Sequence, residues 1–120
     1  GHLARATLEG MAMQNVELLL AMQKDLKKKL KTLKVDGGAV VNELLMQLQA
    51  DYLGVPCVRP KVIETTSAGA AFMAGLGCGL WKNFEDVKKV WQQDKVFVPE
   101  MKDKDRKARL QFWSEAVKRA

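Results

Sequence analysis

From Leu3 to about Lys31, apolar residues recur at the spacing of one helix face, through Leu8, Met11, Ala12, Val16, Leu19, Leu20, Met22, Leu26 and Leu30. This recurrence predicts a long amphipathic helix. Its lysines gather in the last turns, where cations meet the negative end of the helix dipole. Met11, Met13 and Met22 are expected to fill core gaps, since an unbranched thioether adapts to irregular space; a plastic binding groove is the alternative. The period then shortens. Thr32 to Asp36 alternates and stops at Gly37 and Gly38, which predicts a strand ending at Val35 or Asp36. Helical spacing resumes through Asn42, Leu44, Leu45, Leu48, Ala50 and Leu53, and Gly54 with Pro56 closes it. Cys57-Val58-Arg59 reads as a second strand, ended by Pro60, which has no N–H to give a ladder. Strand, helix, strand in this order predicts a βαβ unit with parallel strands and a right-handed crossover.

In the second half, Glu64, Thr65, Thr66 and Ser67 offer oxygens to cap a helix running from Ala68 to about Leu80. That helix is rich in Gly and Ala. Each internal glycine costs roughly 1 kcal/mol relative to alanine, so close approach to a neighbouring backbone is the expected return. A short helix begins over Asn83 to Val87, Lys95 to Pro99 reads as extended, and Asp103 to Ala120 forms a last helix with Leu110, Trp113, Ala116 and Val117 inward. Two or three strands make a marginal sheet, and parallel strands need cover on both faces. The chain is therefore expected to be part of a larger α/β protein, or to complete its core by self-association.

Composition changes this picture little. The 120 residues, 48% of them apolar, suit a single globular domain. The net charge of +6 raises the question of nucleic acid. The positive residues, however, form one cluster from Lys24 to Lys34 and a second from Lys102 to Arg109 that is interleaved with Asp103 and Asp105. Mixed-sign runs hydrate helix surfaces, and the aromatic residues, 7% of the chain, do not interleave with the lysines as a base-stacking platform requires. No nucleic-acid partner is expected; a basic module that docks a protein or nucleic acid is the alternative reading. Cys57 and Cys78 form no CxxC pair and have only His2 as a histidine companion, so no metal site is expected and both thiols read as buried apolar groups of a reducing compartment. Gly1-His2 reads as a cloning remnant, no secretion signal opens the chain, and the apolar stretch Ala68 to Trp81 is too short to cross a bilayer. A cytoplasmic protein with no membrane partner is the expectation.

The strongest local signal is Val35-Asp36-Gly37-Gly38-Ala39, followed by Asn42. A strand that turns through two glycines into a helix offers free N–H groups, a positive dipole end and no Cβ to hinder a ligand. It is neither a P-loop nor a dinucleotide fingerprint, and by spacing alone a plain tight turn explains it as well. More of the chain bears on the choice: Arg5-Ala6-Thr7-Leu8-Glu9-Gly10, Leu33 to Ala39, Asn42, Leu45-Met46-Gln47, Gln49-Ala50-Asp51, Gly54-Val55-Pro56, Arg59-Pro60, Glu64-Thr65-Thr66 and Gly69-Ala70-Ala71. With the tail from Trp113, this series resembles the carboxyl-terminal lobe of the FGGY carbohydrate kinase family, in its glycerol kinase branch, over nearly the whole chain from Leu3.

The resemblance implies an α/β fold that is part of an actin-like, ribonuclease-H-like ATPase domain, helix-rich with a small sheet, in which residues 3–120 are a fragment of the C-terminal domain. It implies ATP or ADP with Mg²⁺ in a cleft between two lobes, and glycerol as the phosphoryl acceptor. It places Gly38 and Asn42 against the nucleotide, gives Gly37 the shaping of the turn, and leaves Asp36 a structural role. The catalytic Asp, phosphate loops and glycerol pocket of such enzymes precede the part corresponding to Leu3, so no catalytic or metal-binding residue is expected here, and the chain alone is expected to be inactive. Glu43 and Ser67-Ala68 depart from the family pattern, which puts packing detail in question there.

Overall fold

A computed structural model describes residues 1–119. The elements run α1 (His2–Leu26), β1 (Leu33–Lys34), a 3-10 turn (Gly38–Val41), α2 (Glu43–Leu53), β2 (Cys57–Pro60), α3 (Thr65–Gly77), α4 (Phe84–Val90), β3 (Gln93–Phe97) and α5 (Asp103–Val117). The sheet has the order β1-β2-β3. β1 pairs in parallel with β2, Leu33 opposite Cys57, as the βαβ reading requires. β3 adds antiparallel on the other edge, Cys57 opposite Phe97, with a register shift at Arg59/Pro60.

The core forms where α1 crosses α2 and both lie over the sheet. Ala12, Met13 and Val16 of α1 meet Leu45, Met46, Leu48, Ala50 and Tyr52 of α2, with Val40, Cys57 and Phe97 beneath. Leu110 and Trp113 of α5 close one side, half-buried. Asp51 anchors the approach to α5: one carboxylate oxygen accepts from the Glu100 N–H at 2.7 Å, the Met101 N–H at 3.2 Å and the Gln47 amide at 3.1 Å.

Elsewhere the elements stand apart. The radius of gyration is 17.2 Å with extents of 54 × 37 × 27 Å, against roughly 14 Å for a compact domain of this length. Leu3, Leu18, Leu26, Leu80 and Phe112 are all more than half exposed. These are the surfaces expected of a piece whose strands are too few for its helices.

Several expectations need correction. The first helix ends at Leu26, not near Lys31: Lys27 turns left-handed at φ 51°, and the Gln23 side chain accepts the Leu30 N–H at 2.6 Å, folding the chain back over the helix end. Of the three methionines only Met13 enters the core; Met11 and Met22 face outward. α3 begins at Thr65 with Glu64 in the cap position, no side chain caps it, and the Thr65 hydroxyl donates to Asp36. Its glycines meet no neighbouring backbone: Gly69 and Gly77 have open space where a Cβ would stand, and Gly75 is closely approached by the Trp81 ring. Val117 is exposed rather than inward.

The two thiols also differ. Cys57 is buried and Cys78 is exposed, since α3 lacks the cover that would bury its end. Burial pushes the Cys57 thiol up to about 11, so it stays protonated and unreactive at neutral pH. An alkylating reagent should therefore modify one thiol per folded chain, at Cys78, and both in denaturant. Rapid labelling of Cys57 in the folded chain would contradict this packing.

Candidate functional site

The glycine turn is held at its two ends. Gly37 adopts φ 85°, ψ 171°, a backbone that an L side chain resists. Its N–H donates to the Ile63 carbonyl at 2.8 Å, and its carbonyl accepts from Val40 at 3.2 Å. Asp36, one residue earlier, accepts from the Thr65 hydroxyl and so ties the strand end to the start of α3. Asp36 is thus engaged structurally, and Gly37 occupies the positive-φ position of the turn.

Gly38 is different. Its φ is not positive, it is exposed, and no atom lies within 4 Å of the place a Cβ would occupy. Nothing in the chain's own packing calls for glycine there. Among the described residues the N–H groups of Gly38 and Ala39, first in the 3-10 turn, find no backbone or side-chain acceptor, as the leading donors of a helical turn generally do not.

The sequence reading ran the glycines straight into an α-helix. The structure inserts the 3-10 turn, so α2 begins only at Glu43 and Asn42 is its N-cap. The Asn42 carbonyl oxygen accepts from the Leu45 N–H at 3.0 Å, which satisfies an orphan donor of the first turn. The side-chain NH₂ of Asn42 has no partner among the described residues and the residue is exposed, so it remains a donor toward solvent. Gly37, Gly38 and Asn42 accordingly lie along one short, largely exposed segment. A cleft of about 330 Å³ borders it, lined by Asp36, Ala39 and Val40 on one side and by Asn15 and Leu19 of α1 on the other.

Two neighbours of the turn, Gln49 and Arg59, make contacts that the sequence does not announce. Gln49 in α2 is buried and accepts from the Asn15 amide at 3.1 Å, with its own NH₂ unpartnered among the described residues. Arg59 in β2 donates to the Val40 carbonyl at 3.0 Å and to Asp94 at 2.7 Å. Strand alternation would have flagged Arg59, since it shares a face with the buried Cys57. Glu43 bonds Lys95 at 2.9 Å and lies 3.6 Å from Arg59. The Lys95 hydrogen bond, with its charge, holds the Glu43 carboxyl below the usual carboxylate range. Among the described residues no group of three or more His, Cys, Asp or Glu is placed to hold a metal ion, and no helix is long and apolar enough to cross a membrane.

Comparison with known proteins shows the family of the chain. Residues 1–78 match the FGGY family of carbohydrate kinases, C-terminal domain. A glycerol kinase from Bdellovibrio bacteriovorus is 58% identical over 118 residues, covering 98% of this chain and 24% of that protein. The structure of Plasmodium falciparum glycerol kinase with ADP superposes with a TM-score of 0.86 at 37% identity, covering 98% of this chain and 24% of that one. Xylulose kinase from Lactobacillus acidophilus, solved with bound ligand, superposes with a TM-score of 0.72 at 25% identity over 91% of this chain and 21% of its own. The chain therefore spans about a quarter of the length of the relatives it matches. Its helix-rich architecture around a three-stranded mixed sheet is that of the C-terminal part of an actin-like ATPase fold. With the strand, the Asp-Gly-Gly-Ala turn and the capped helix all inside the matched residues, the chain belongs to the FGGY family of carbohydrate kinases, in its C-terminal domain.

Proposed function

We propose that this chain is the C-terminal part of an ATP-dependent glycerol kinase, acting in the cytoplasm to transfer the γ-phosphoryl of ATP to a glycerol hydroxyl, and that its glycine turn lines the adenine-nucleotide side of the cleft. The observation that carries the reading is Gly38, exposed, with no atom near the place of a Cβ and no conformational need for glycine, whose N–H and that of Ala39 have no acceptor among the described residues. Exposed backbone that no Cβ covers suits a group that comes close to it. The substrate class rests on the 58% identity to a glycerol kinase and on the likeness to one solved with ADP.

In this reading Gly37 sets the turn, Gly38 admits the nucleotide, and Asn42 directs its side-chain NH₂ at an acceptor on it while its oxygen caps α2. Mg²⁺ bound with the nucleotide would supply charge neutralisation at the phosphates. The groups that hold the metal, activate the acceptor hydroxyl and bind glycerol lie outside these 120 residues.

The isolated chain should therefore give no glycerol 3-phosphate from glycerol and Mg-ATP, and its exposed apolar side chains should drive self-association. The full-length kinase carrying this sequence should be active. Turnover by the 120-residue chain alone would overturn the proposal, as would a full-length protein that phosphorylates a sugar and leaves glycerol untouched.

A further inference from the structure

We infer that Arg59 is a positioning residue for the nucleotide turn, fixing the segment between Gly38 and Asn42 from behind; the inference rests on the reading of that turn as a nucleotide site. Its side chain is 13% exposed and leaves β2 on the face of Cys57, toward the start of α2. There it makes three connections. One guanidinium NH₂ donates to the carbonyl of Val40 at 3.0 Å, in the last turn before Asn42, where helix-end carbonyls have no partner of their own. The Nε–H donates to Asp94 of β3 at 2.7 Å. The other NH₂ lies 3.6 Å from the carboxylate of Glu43, the residue after Asn42. The Phe97 ring supports the fork from below, 5.5 Å away.

The glycine turn is thus pinned at its start by the Gly37 N–H on Ile63 and at its end by Arg59 on Val40. Gly38 and Asn42 lie between and beside these pins, and both are otherwise exposed. A partly buried ion pair is a poor device for stability, because desolvation offsets most of its attraction. What a planar fork supplies is fixed geometry, with Val40, Asp94 and Glu43 held in one relation. That relation decides where the Gly38 N–H and the Asn42 side chain point.

The test uses the full-length kinase and reads ADP affinity, KM for ATP, KM for glycerol and the melting temperature. Arg59→Met keeps the apolar stem and removes the donors; it should raise the ADP dissociation constant and KM for ATP roughly tenfold, the scale of a lost charge-assisted hydrogen bond, and leave KM for glycerol unchanged. Arg59→Lys should recover part of the loss, because an ammonium can reach Val40 or Asp94 but does not fork between them. Asp94→Asn, which loosens one anchor only, should shift the same constants in the same direction by less, and it serves if Arg59→Met does not fold. If the nucleotide constants stay put in the Arg59 and Asp94 variants while Gly38→Val weakens nucleotide binding, the inference fails and the nucleotide-site reading stands. If Gly38→Val leaves nucleotide binding untouched, the reading fails and the inference falls with it. A lower melting temperature with equal changes in both KM values would make Arg59 merely structural and overturn the proposal.

Discussion

Gly38→Val in the full-length kinase should weaken ADP and ATP binding about a hundredfold, close to 2.7 kcal/mol, while changing stability by no more than about 0.5 kcal/mol, as at other exposed positions. The two effects separate because no atom of the fold lies within 4 Å of the place a Cβ would occupy at Gly38 and its φ is not positive. A branched side chain therefore meets nothing in the fold and everything in a ligand that lies against the turn. Gly37→Val is the informative contrast. At φ 85° a β-branched residue is strained by about 1–3 kcal/mol, so this variant should lose stability and binding together. Asn42 divides the same way. Asn42→Asp keeps an oxygen to cap the Leu45 N–H and should melt near the parent temperature, but it replaces the free NH₂ with a negative charge facing phosphates. Asn42→Ala should lose about 1 kcal/mol of capping as well as nucleotide affinity. Calorimetric titration with ADP beside thermal melts reads all four. Undiminished ADP binding by Gly38→Val would take the nucleotide away from this turn.

Local chemistry made the sheet and its crossover legible. Alternation at Thr32 to Asp36, the period from Asn42 to Leu53 and the stop at Gly54-Val55-Pro56 each reflect an interaction within a few residues, and β1, α2 and β2 appear where these place them. What stayed hidden depends on partners far along the chain. Thr65 reads as a cap until Asp36, distant in sequence, takes its hydroxyl. Arg59 reads as a strand residue until Val40 and Asp94 converge on it. Met11, Met22, Cys78 and Val117 carry apolar character that suggests a core, yet these residues are exposed. In a family whose members run to four times this length, periodicity records which face is apolar but not which segment covers it. The same holds for the glycines of α3. Gly69 and Gly77 stand open, so no contact among the described residues accounts for their small size. The site follows the same division: the glycine pair is visible in the sequence, while the 3-10 turn that displaces the helix N-terminus from it is a matter of three-dimensional closure.

Tyr52 is where the fold itself should prove most sensitive. It is 1% exposed, the largest of the fully buried side chains, at the seam where α1 and α2 form the only extensive helix pair of the described residues. Tyr52→Ala should cost about 3–5 kcal/mol, the range for deleting a buried aromatic ring. Domains of ordinary stability have about 5–15 kcal/mol in all, so the chain should lose cooperative unfolding in a denaturant titration. Tyr52→Phe should do the opposite. Among the described residues no group meets the Tyr52 hydroxyl in full hydrogen-bond geometry; burial pushes its pKa above the ordinary 10.0, Glu9 adds to the shift, and the Arg109 guanidinium, close enough to approach a hydrogen bond, opposes it. Removing a buried, unpaired hydroxyl relieves a desolvation cost of order 1–3 kcal/mol, so the phenylalanine variant should unfold at equal or higher denaturant. The pH dependence gives an independent reading. A phenol whose pKa is raised by folding contributes stability below its unfolded value and loses it as pH rises through the folded one. The parent should weaken above pH 10.0, on top of a decline between 9.0 and about 11 from the Cys57 thiol. Tyr52→Phe should retain the thiol's decline and lose the phenol's. A phenylalanine variant less stable than the parent at neutral pH would mean that the hydroxyl is satisfied in the folded chain, and that the α1–α2 seam is held by a polar contact as well as by packing.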